Sequence, residues 1–172
     1  MDRKADFGFE LPPAQIAQAP TAQRDGSRLL IVGAATALTD TTFPALLDHL
    51  PPDPVVVVNA RSGIERLSQD EVTNIFLGRY RKLPGGGTAL PVDQPESSAL
   101  RAEFYRKLVN KDLNEINAYW SRLIFSGKTS PPRQSETGAE VLAWLAVNPG
   151  GVAYVERSQV DRRFRIVLEF VR

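Results

Sequence analysis

The sequence contains no cysteine and only one histidine. Without cysteine the chain has no thiol nucleophile, no disulfide, and no thiolate ligand for zinc or an iron–sulfur cluster. The single histidine, His49, excludes multi-histidine metal sites and any Ser-His-Asp triad elsewhere in the chain. His49 lies in a helix-like stretch that ends at Pro51, where a histidine usually pairs with the helix dipole. We therefore expect a protein that is not an enzyme and has no metal or cofactor.

The chain also lacks an excess of charge of either sign. Its 21 basic and 20 acidic residues give a net charge of +1. This balance argues against a dedicated nucleic-acid binder, which normally carries a strong basic excess, and against broad attraction to membranes. With 42% hydrophobic residues, a chain of 172 residues is long enough to bury a core.

Long hydrophobic runs are scarce as well. The best candidate for a targeting segment, Leu29–Leu38, is too short to span a bilayer. The residues before it are not the short basic stretch of a signal peptide, since they include Asp2, Asp6, Glu10 and Asp25. We interpret Leu29–Val32 as a buried strand that turns at Gly33, with part of an export signal as the alternative.

Patterning along the chain predicts an arm and one domain. Residues 1–27 are rich in Pro, Ala and Gln without periodicity, which is typical of a flexible or extended N-terminal arm. Residues 28–172 alternate strand and helix patterns. The predicted strands are Leu29–Val32, Val55–Val58, Ala89–Val92, Val152–Val155 and Phe164–Phe170, and the predicted helices are one near Thr42–Leu50, one beginning at Ser68, one beginning at Ser97 or Ser98, Leu113–Ile124 and Glu136–Val147. This order predicts a single α/β domain, three-layer-like, with a mixed and mostly parallel sheet.

The segment Gln94–Phe104 is the best candidate site, because it leads from a strand into a helix. The first N–H groups of a helix have no partner within it, and they lie at the positive end of the helix dipole, where proteins hold phosphate, sulfate and carboxylate. The candidate ligand-binding residues are Gln94, Ser97, Ser98, Ala99 and Arg101. The alternative is a capped helix start without a ligand, which Glu96 favours because its carboxylate repels phosphate.

A second candidate follows the β-branched run Val55–Val58. Ligands of open α/β sheets gather at the carboxyl ends of strands, and Arg61 and Ser62 come directly after this one. A surface turn is the alternative interpretation. Trp120 lies on the apolar stripe of its helix, which predicts core packing rather than a ligand contact.

Several motifs, taken in order, resemble the substrate-binding proteins of phosphate ABC transporters, and most closely their short, single-lobe relatives. These motifs are Val55–Asn59, Leu67–Arg79, Pro91–Pro95, Leu100–Phe104, Tyr119–Gly127, Pro131-Pro132 and Asn148–Tyr154. The resemblance implies one lobe of a type II periplasmic binding protein, a periplasmic location, and binding of phosphate or another small oxyanion. It also implies a possible link to ABC-type uptake, with a transporter membrane subunit or a second copy of the chain as partner.

The sequence contains only part of the phosphate motif of the family that it resembles, Arg-x-x-Gly-Ser-Gly-Thr-Arg-x-x-Phe. When the motif is aligned on Arg101 and Phe104, its serine falls on Ser98, its first arginine on Gln94 and its threonine on Leu100. The helix start is kept, while a cation and a hydroxyl are absent. The alternative function is therefore a ligand-free protein-interaction or dimerisation module that keeps the fold but not phosphate binding.

Overall fold

The computed structural model describes residues 27–32, 38–46, 50 and 52–170. The chain divides into two compact units, Met1–Leu50 and Pro51–Arg172. The predicted arm over residues 1–27 lies outside the described residues except for Ser27. Likewise, the expectation that residues 28–172 form one domain stays a prediction.

The described part of the first unit is a small antiparallel sheet. Strand β1 (Arg28–Val32) pairs with β2 (Leu38–Thr42), and a 3-10 turn, Phe43–Ala45, follows. The predicted strand at Leu29–Val32 is confirmed, but its predicted burial is wrong. Leu30 is 58% exposed and Val32 70% exposed, because two strands alone form no second layer that would cover both faces of the sheet.

Two further expectations concern the same unit. The predicted turn at Gly33 lies outside the described residues. Of the predicted helix near Thr42–Leu50, Thr42 belongs to β2 instead, and residues 47–49 lie outside the described residues. Pro44 stands in the first turn of the 3-10 segment, where a missing N–H costs nothing.

The second unit is built on a five-stranded sheet. Its strands are β3 (Pro54–Asn59), β4 (Leu90–Asp93), β5 (Arg133–Gln134), β6 (Gly151–Glu156) and β7 (Phe164–Glu169). The order is β5-β4-β6-β3-β7, with β4 parallel to β5 and β6, and β3 antiparallel to β6 and β7. The predicted mixed sheet is thus confirmed, but it is not mostly parallel: the two pairings of β4 are parallel and the two pairings of β3 are antiparallel. Every residue of β3 is buried, as expected of a continuous valine run.

Helices cover both faces of this sheet. They are α1 (Gln69–Phe76), α2 (Ala99–Val109), α3 (Leu113–Phe125) and α4 (Gly138–Val147). Val56 and Val58 pack with buried residues of α1, α2 and α3, whereas Val55 and Val57 pack with those of α4. The valines of β3 alternate between the two cores because successive side chains of a strand point to opposite faces. The predicted three-layer α/β architecture is confirmed.

The predicted helix start at Ser68 is confirmed, and a capping box fixes it. The Ser68 side chain accepts from the Glu71 N–H, and the Glu71 carboxylate accepts from the Ser68 N–H. Gly78, just after α1, has a positive φ of 68°, the conformation that lets a glycine end a helix. Among the described residues, no helix combines the length and the apolar character needed to cross a membrane.

The strand directions separate the two candidate sites. Val58, near the end of β3, pairs with Val152 near the start of β6, and Pro91, near the start of β4, also pairs with Val152. Because β3 and β4 run in opposite directions, their carboxyl ends, Asn59 and Asp93, lie toward opposite ends of the sheet.

Candidate anion-binding site at the end of β4

A buried carboxylate, Asp93, organises the end of β4. Its Oδ1 atom accepts from the Gln94 N–H at 2.9 Å and from the Tyr154 hydroxyl. Its Oδ2 atom accepts from Arg101 Nε at 3.1 Å and from the Tyr105 hydroxyl at 3.0 Å. Asp93 is only 3% exposed. Four donors fill the acceptor positions of an ionised carboxylate, so Asp93 has no capacity left for a ligand.

The ionisation of the partners fits this arrangement. Burial raises the pKa of both Tyr105 and Tyr154 well above the usual value, and the charge of Asp93 raises each pKa further. Both phenols therefore stay protonated and keep donating. Burial by itself lowers the pKa of Arg101, but the charge and hydrogen bond of Asp93 outweigh it and the pKa is raised. Arg101 is a buried, permanent cation.

Aromatic packing holds these groups in place. The Phe104 ring stacks on Tyr154 with centroids 3.7 Å apart and planes 5° apart. The Phe76 ring meets both of them edge-on. Since Phe104 and Tyr105 belong to α2, Phe76 to α1 and Tyr154 to β6, the cluster ties two helices to the sheet.

Gln94 is part of this framework rather than of an open surface. It is 3% exposed, and its side-chain Nε2 donates to the Tyr154 carbonyl at 2.8 Å. Its own carbonyl accepts from Gln134 Nε2 at 3.2 Å. The structure brings Gln94 close to Arg101 through Asp93, and it directs the Gln94 amide toward β6.

The start of α2 keeps several groups unused. Ser98 is the N-cap residue, yet its side chain makes no capping hydrogen bond. Within the described part of the chain, no group accepts from the N–H of Ala99 or Leu100. Ser97 and Ala99 are exposed. These residues form the predicted helix start, but Ser97, Ser98 and Ala99 do not line the cavity described next.

A cavity of about 370 Å³ lies beside Arg101. Asp93 and Glu96 contribute to one part of its wall. Other lining residues come from α3, from the loop before β5 and from β5 itself, and include Asn117, Trp120, Ser121, Ile124, Pro131, Pro132 and Gln134. Two lining residues carry a buried donor that nothing in the described part of the chain accepts from, namely Arg101 Nη1 and Trp120 Nε1.

Arg61 and Ser62 lie at the opposite end of the sheet, and the structure does not bring them to this cavity. The Arg61 N–H donates to Asn59 Oδ1 at 2.9 Å, and Ser62 Oγ accepts from the Ile64 N–H at 3.2 Å. Asn59 Nδ2 donates to two carbonyls at the end of α4, those of Leu145 and Ala146, at 3.0 and 2.8 Å. The polar groups of this turn therefore form hydrogen bonds with one another and with the end of α4.

Sequence reasoning missed most of the polar framework. Asp93 carries a usable signal, a carboxylate at the end of a strand followed by an arginine in the first turn of the next helix. The prediction that Trp120 packs in the core is confirmed by its 5% exposure. Its unpaired N–H, however, depends on what surrounds the indole in space, which no local pattern encodes.

Residues 4–75 match the model of a family described as "Queuosine biosynthesis protein". This match includes nearly all of the Met1–Leu50 unit and continues through β3 into α1. It falls short of half of the chain, so it does not show to which family the chain belongs. By its description, the matching family is not a binding-protein family.

Two solved structures share the fold at low sequence identity. A putative phosphate ABC transporter substrate-binding protein with bound phosphate from Clostridium perfringens is 15% identical with a TM-score of 0.55, and the match covers 67% of this chain and 44% of that one. An ABC-type phosphate transport receptor from Vibrio cholerae is 13% identical with a TM-score of 0.53, covering 67% and 45%. The chain therefore spans less than half the length of these proteins.

The structural matches must fall largely on the Pro51–Arg172 unit, because the other unit, Met1–Leu50, is too short to supply the covered share. At such identity the matches show the fold alone. The α/β architecture built from the sheet and its two helical layers is that of a phosphate-binding-protein lobe.

Proposed function

We propose that the Pro51–Arg172 unit is a non-enzymatic binding domain for a small oxyanion, held by Arg101 in the first turn of α2. One observation carries this proposal. The Nη1 atom of Arg101 is a buried donor on a charged group, and this atom has no acceptor among the described residues. A buried polar group left without a partner costs about 1–3 kcal/mol, and more when it is charged. Arg101 also lines the neighbouring cavity, and an oxyanion bound there supplies the missing acceptor once the guanidinium turns toward it.

The start of α2 supports the same proposal. The Ser98 hydroxyl and the N–H groups of Ala99 and Leu100 have no partner within the described residues. These groups do not line the cavity, so they favour an anion there through the helix dipole rather than by direct contact. One solved structure of similar fold is described with bound phosphate, which makes phosphate a natural first probe.

A wider role belongs to this proposal as well. We propose that the domain acts in ABC-type uptake, in the periplasm, with a transporter membrane subunit as partner. The fold shared with two phosphate-transport proteins supports this role. Fractionation of cells that express the native gene tests the location, and recovery solely in the cytosolic fraction contradicts it.

Titration calorimetry with phosphate, sulfate and acetate at low ionic strength tests the binding proposal. We expect heat and a raised melting temperature with at least one of these anions. Arg101→Lys keeps a cation but removes the planar guanidinium, so we expect binding to weaken by about tenfold or more, the worth of one charge-assisted hydrogen bond. Lys128→Ala, at an exposed lysine, is the matched control and leaves binding unchanged.

No heat and no change in melting temperature with any of the three anions contradicts the proposal. Indifference of binding to Arg101→Lys places the anion elsewhere.

A protein-interaction or dimerisation module is the second candidate. It is favoured by Ile124 and Phe125 at the end of α3, which are 56% and 92% exposed. Large apolar side chains exposed side by side often mark an association surface. Light scattering after size exclusion separates the candidates, since a dimer that ignores all anions and dissociates on Phe125→Ser supports the second one.

A further inference from the structure

A second cavity, of about 310 Å³, lies at the start of β4 and is called the β4-start cavity below. Its charged lining residues are Arg81 and Arg133, and no carboxylate of the described residues lines it. The cavity beside Arg101 is different, because one arginine and two carboxylates, those of Asp93 and Glu96, line it. Of these two cavities, the β4-start cavity is therefore the positively charged one.

The chain around the β4-start cavity is basic as well. Apart from Trp144, every described lining residue comes from one of two stretches, residues 72–92 and 116–135. Neither stretch contains Asp or Glu, although the net charge of the whole chain is only +1. Their basic residues are Arg79, Arg81, Lys82, Arg122, Lys128 and Arg133. A concave surface with charge of one sign raises the local concentration of small ions of the opposite sign.

Both guanidinium groups of this cavity are exposed and have unused donors. The Arg133 guanidinium lies over the Trp144 ring, with its carbon 5.9 Å from the ring centroid, and forms no hydrogen bond within the described part of the chain. Arg81 Nη2 donates to the Ser130 carbonyl at 2.6 Å, which leaves Nε and Nη1 of Arg81 without an acceptor among the described residues. A ligand in the cavity can reach these donors without any change in the core.

Much of the remaining wall is carbon surface held by close packing. Leu90, which is 41% exposed, and the Trp144 ring both line the cavity. A Cβ atom at Gly151 would lie 3.0 Å from Cζ3 of Trp144, and one at Gly150 would lie 2.7 Å from the Thr88 carbonyl oxygen. The two glycines thus let the indole and the chain before β4 pack closely against the start of β6. A bare inorganic anion leaves the carbon surface in contact with water, whereas a ligand with a carbon body covers it.

We infer that the β4-start cavity binds a small organic dianion with an apolar body, a dicarboxylate, whose two acidic groups interact with Arg81 and Arg133. Two cations without a lining carboxylate favour a dianion over a monoanion. The volume of about 310 Å³ is at the lower end of the range for small-molecule sites, roughly 300–1,000 Å³. This site is separate from the one proposed at Arg101, and the inference does not rest on that proposal.

Fluorescence titration of the full chain in a Trp120→Phe background tests this inference. Trp144 is then the remaining tryptophan, and it lines the cavity. The probes are succinate, adipate, hexanoate and sulfate at neutral pH and one ionic strength. We expect adipate to bind about tenfold more tightly than succinate, since two additional methylenes cover the apolar wall. We expect hexanoate, which lacks the second charge, to bind about fivefold more weakly than adipate, the worth of one exposed ion pair.

Three variants test the assigned contacts. Arg81→Gln and Arg133→Gln each remove one positive charge and keep a polar side chain, so we expect about fivefold weaker adipate binding by either variant. Hexanoate should respond less, because it presents one charge. Arg122→Gln changes an exposed arginine that does not line the cavity, and it is the matched control. Melting temperatures equal to that of the parent chain show that the variants are folded.

Several outcomes overturn the inference and leave the proposed function standing. The first is hexanoate or sulfate binding as tightly as adipate. The second is adipate binding that ignores both Arg81→Gln and Arg133→Gln, or that Arg122→Gln weakens equally. A response that Arg101→Lys abolishes and Arg133→Gln leaves intact places the ligand at the end of β4 instead. The inference also falls if adipate changes neither the Trp144 fluorescence nor the heat measured by calorimetry.

Discussion

The sheet of the Pro51–Arg172 unit ends in two polar turns that look alike in sequence and differ in what they leave unpaired. At the end of β3, Asn59 donates to the last carbonyls of α4 and accepts from the Arg61 N–H, so that its side chain is fully used. At the end of β4, Asp93 accepts from four donors, but one of these donors, Arg101, brings an additional N–H group that finds no acceptor among the described residues. The Asn59 side chain in the first turn is thus paired at both its nitrogen and its oxygen, whereas the second turn holds an unpaired N–H donor.

The two turns differ because their arginines come from different parts of the fold. Arg61 belongs to the turn itself and is exposed, so water hydrates its guanidinium. Arg101 comes from α2, and its side chain is only 7% exposed. A strand end followed by polar residues becomes a candidate site when a buried side chain from another element places more N–H donors beside it than the strand end can accept from.

The largest expected effect comes from Asp93→Asn. The change leaves Arg101 as a buried cation without its partner, and removing one member of a buried ion pair typically costs about 3–5 kcal/mol. Urea denaturation should show this loss in the free energy of unfolding. The control Asp161→Asn breaks an exposed pair with Arg163 and should leave the urea midpoint unchanged. Equal midpoints for both variants contradict the central role of Asp93.

The second effect is a loss of stability at alkaline pH, caused by the two buried tyrosines that donate to Asp93 at the end of β4. The folded pKa values of Tyr105 and Tyr154 are raised well above the usual value, first by burial and then by Asp93. The folded state therefore holds these protons more tightly than the unfolded state. Their stabilising contribution is complete below the unfolded pKa of about 10 and is lost as the pH rises toward the folded values.

Urea denaturation between neutral pH and pH 11 measures this alkaline loss. The double variant Tyr105→Phe and Tyr154→Phe should show a shallower fall in stability over the same interval, because its two buried groups cannot ionise. A fall as steep as in the parent chain assigns the alkaline sensitivity to other groups.

The third effect tests the β3 end. Asn59→Ala removes the donor to the Leu145 and Ala146 carbonyls, and we expect a loss of about 1–2 kcal/mol in the free energy of unfolding. Affinity for an anion at Arg101 should not change, since Asn59 lies at the other end of the sheet. The exposed residue Asn114 supplies the matched control, Asn114→Ala. Weaker anion binding by Asn59→Ala, with normal binding by the control, contradicts the separation of the two ends.

The smallest effect compares two helix starts. Ser68→Ala breaks the capping box of α1 and should cost about 1 kcal/mol. Ser98→Ala should cost less than half of that, because the Ser98 side chain caps nothing. The same denaturation experiment measures both variants, and a larger loss for Ser98→Ala shows that its hydroxyl is committed to the fold.

Much of the architecture of the second unit could be predicted from its patterns. The valine run of β3 predicts a strand buried on both faces, and the Ser68–Glu71 spacing predicts where α1 begins. Burial on α4 could not be predicted as well. Val141 and Leu145 are buried there, whereas Ala139 is exposed. On a helix that is apolar all round, the sequence does not mark one side as the inner one.

The amino-acid sequence by itself determined the kinds of chemistry open to this protein: no thiol, one histidine, balanced charge, and a strand that turns through serines into a helix with an arginine in its first turn. Only the tertiary structure decided which groups are left without partners. Hydrogen bonds between β4, α2 and β6 turn Gln94 inward and fill Asp93, while α3 places Trp120 in the wall of the cavity beside Arg101. The contacts of Tyr154 and Trp120 join residues far apart in the chain, and a local pattern carries no information about them.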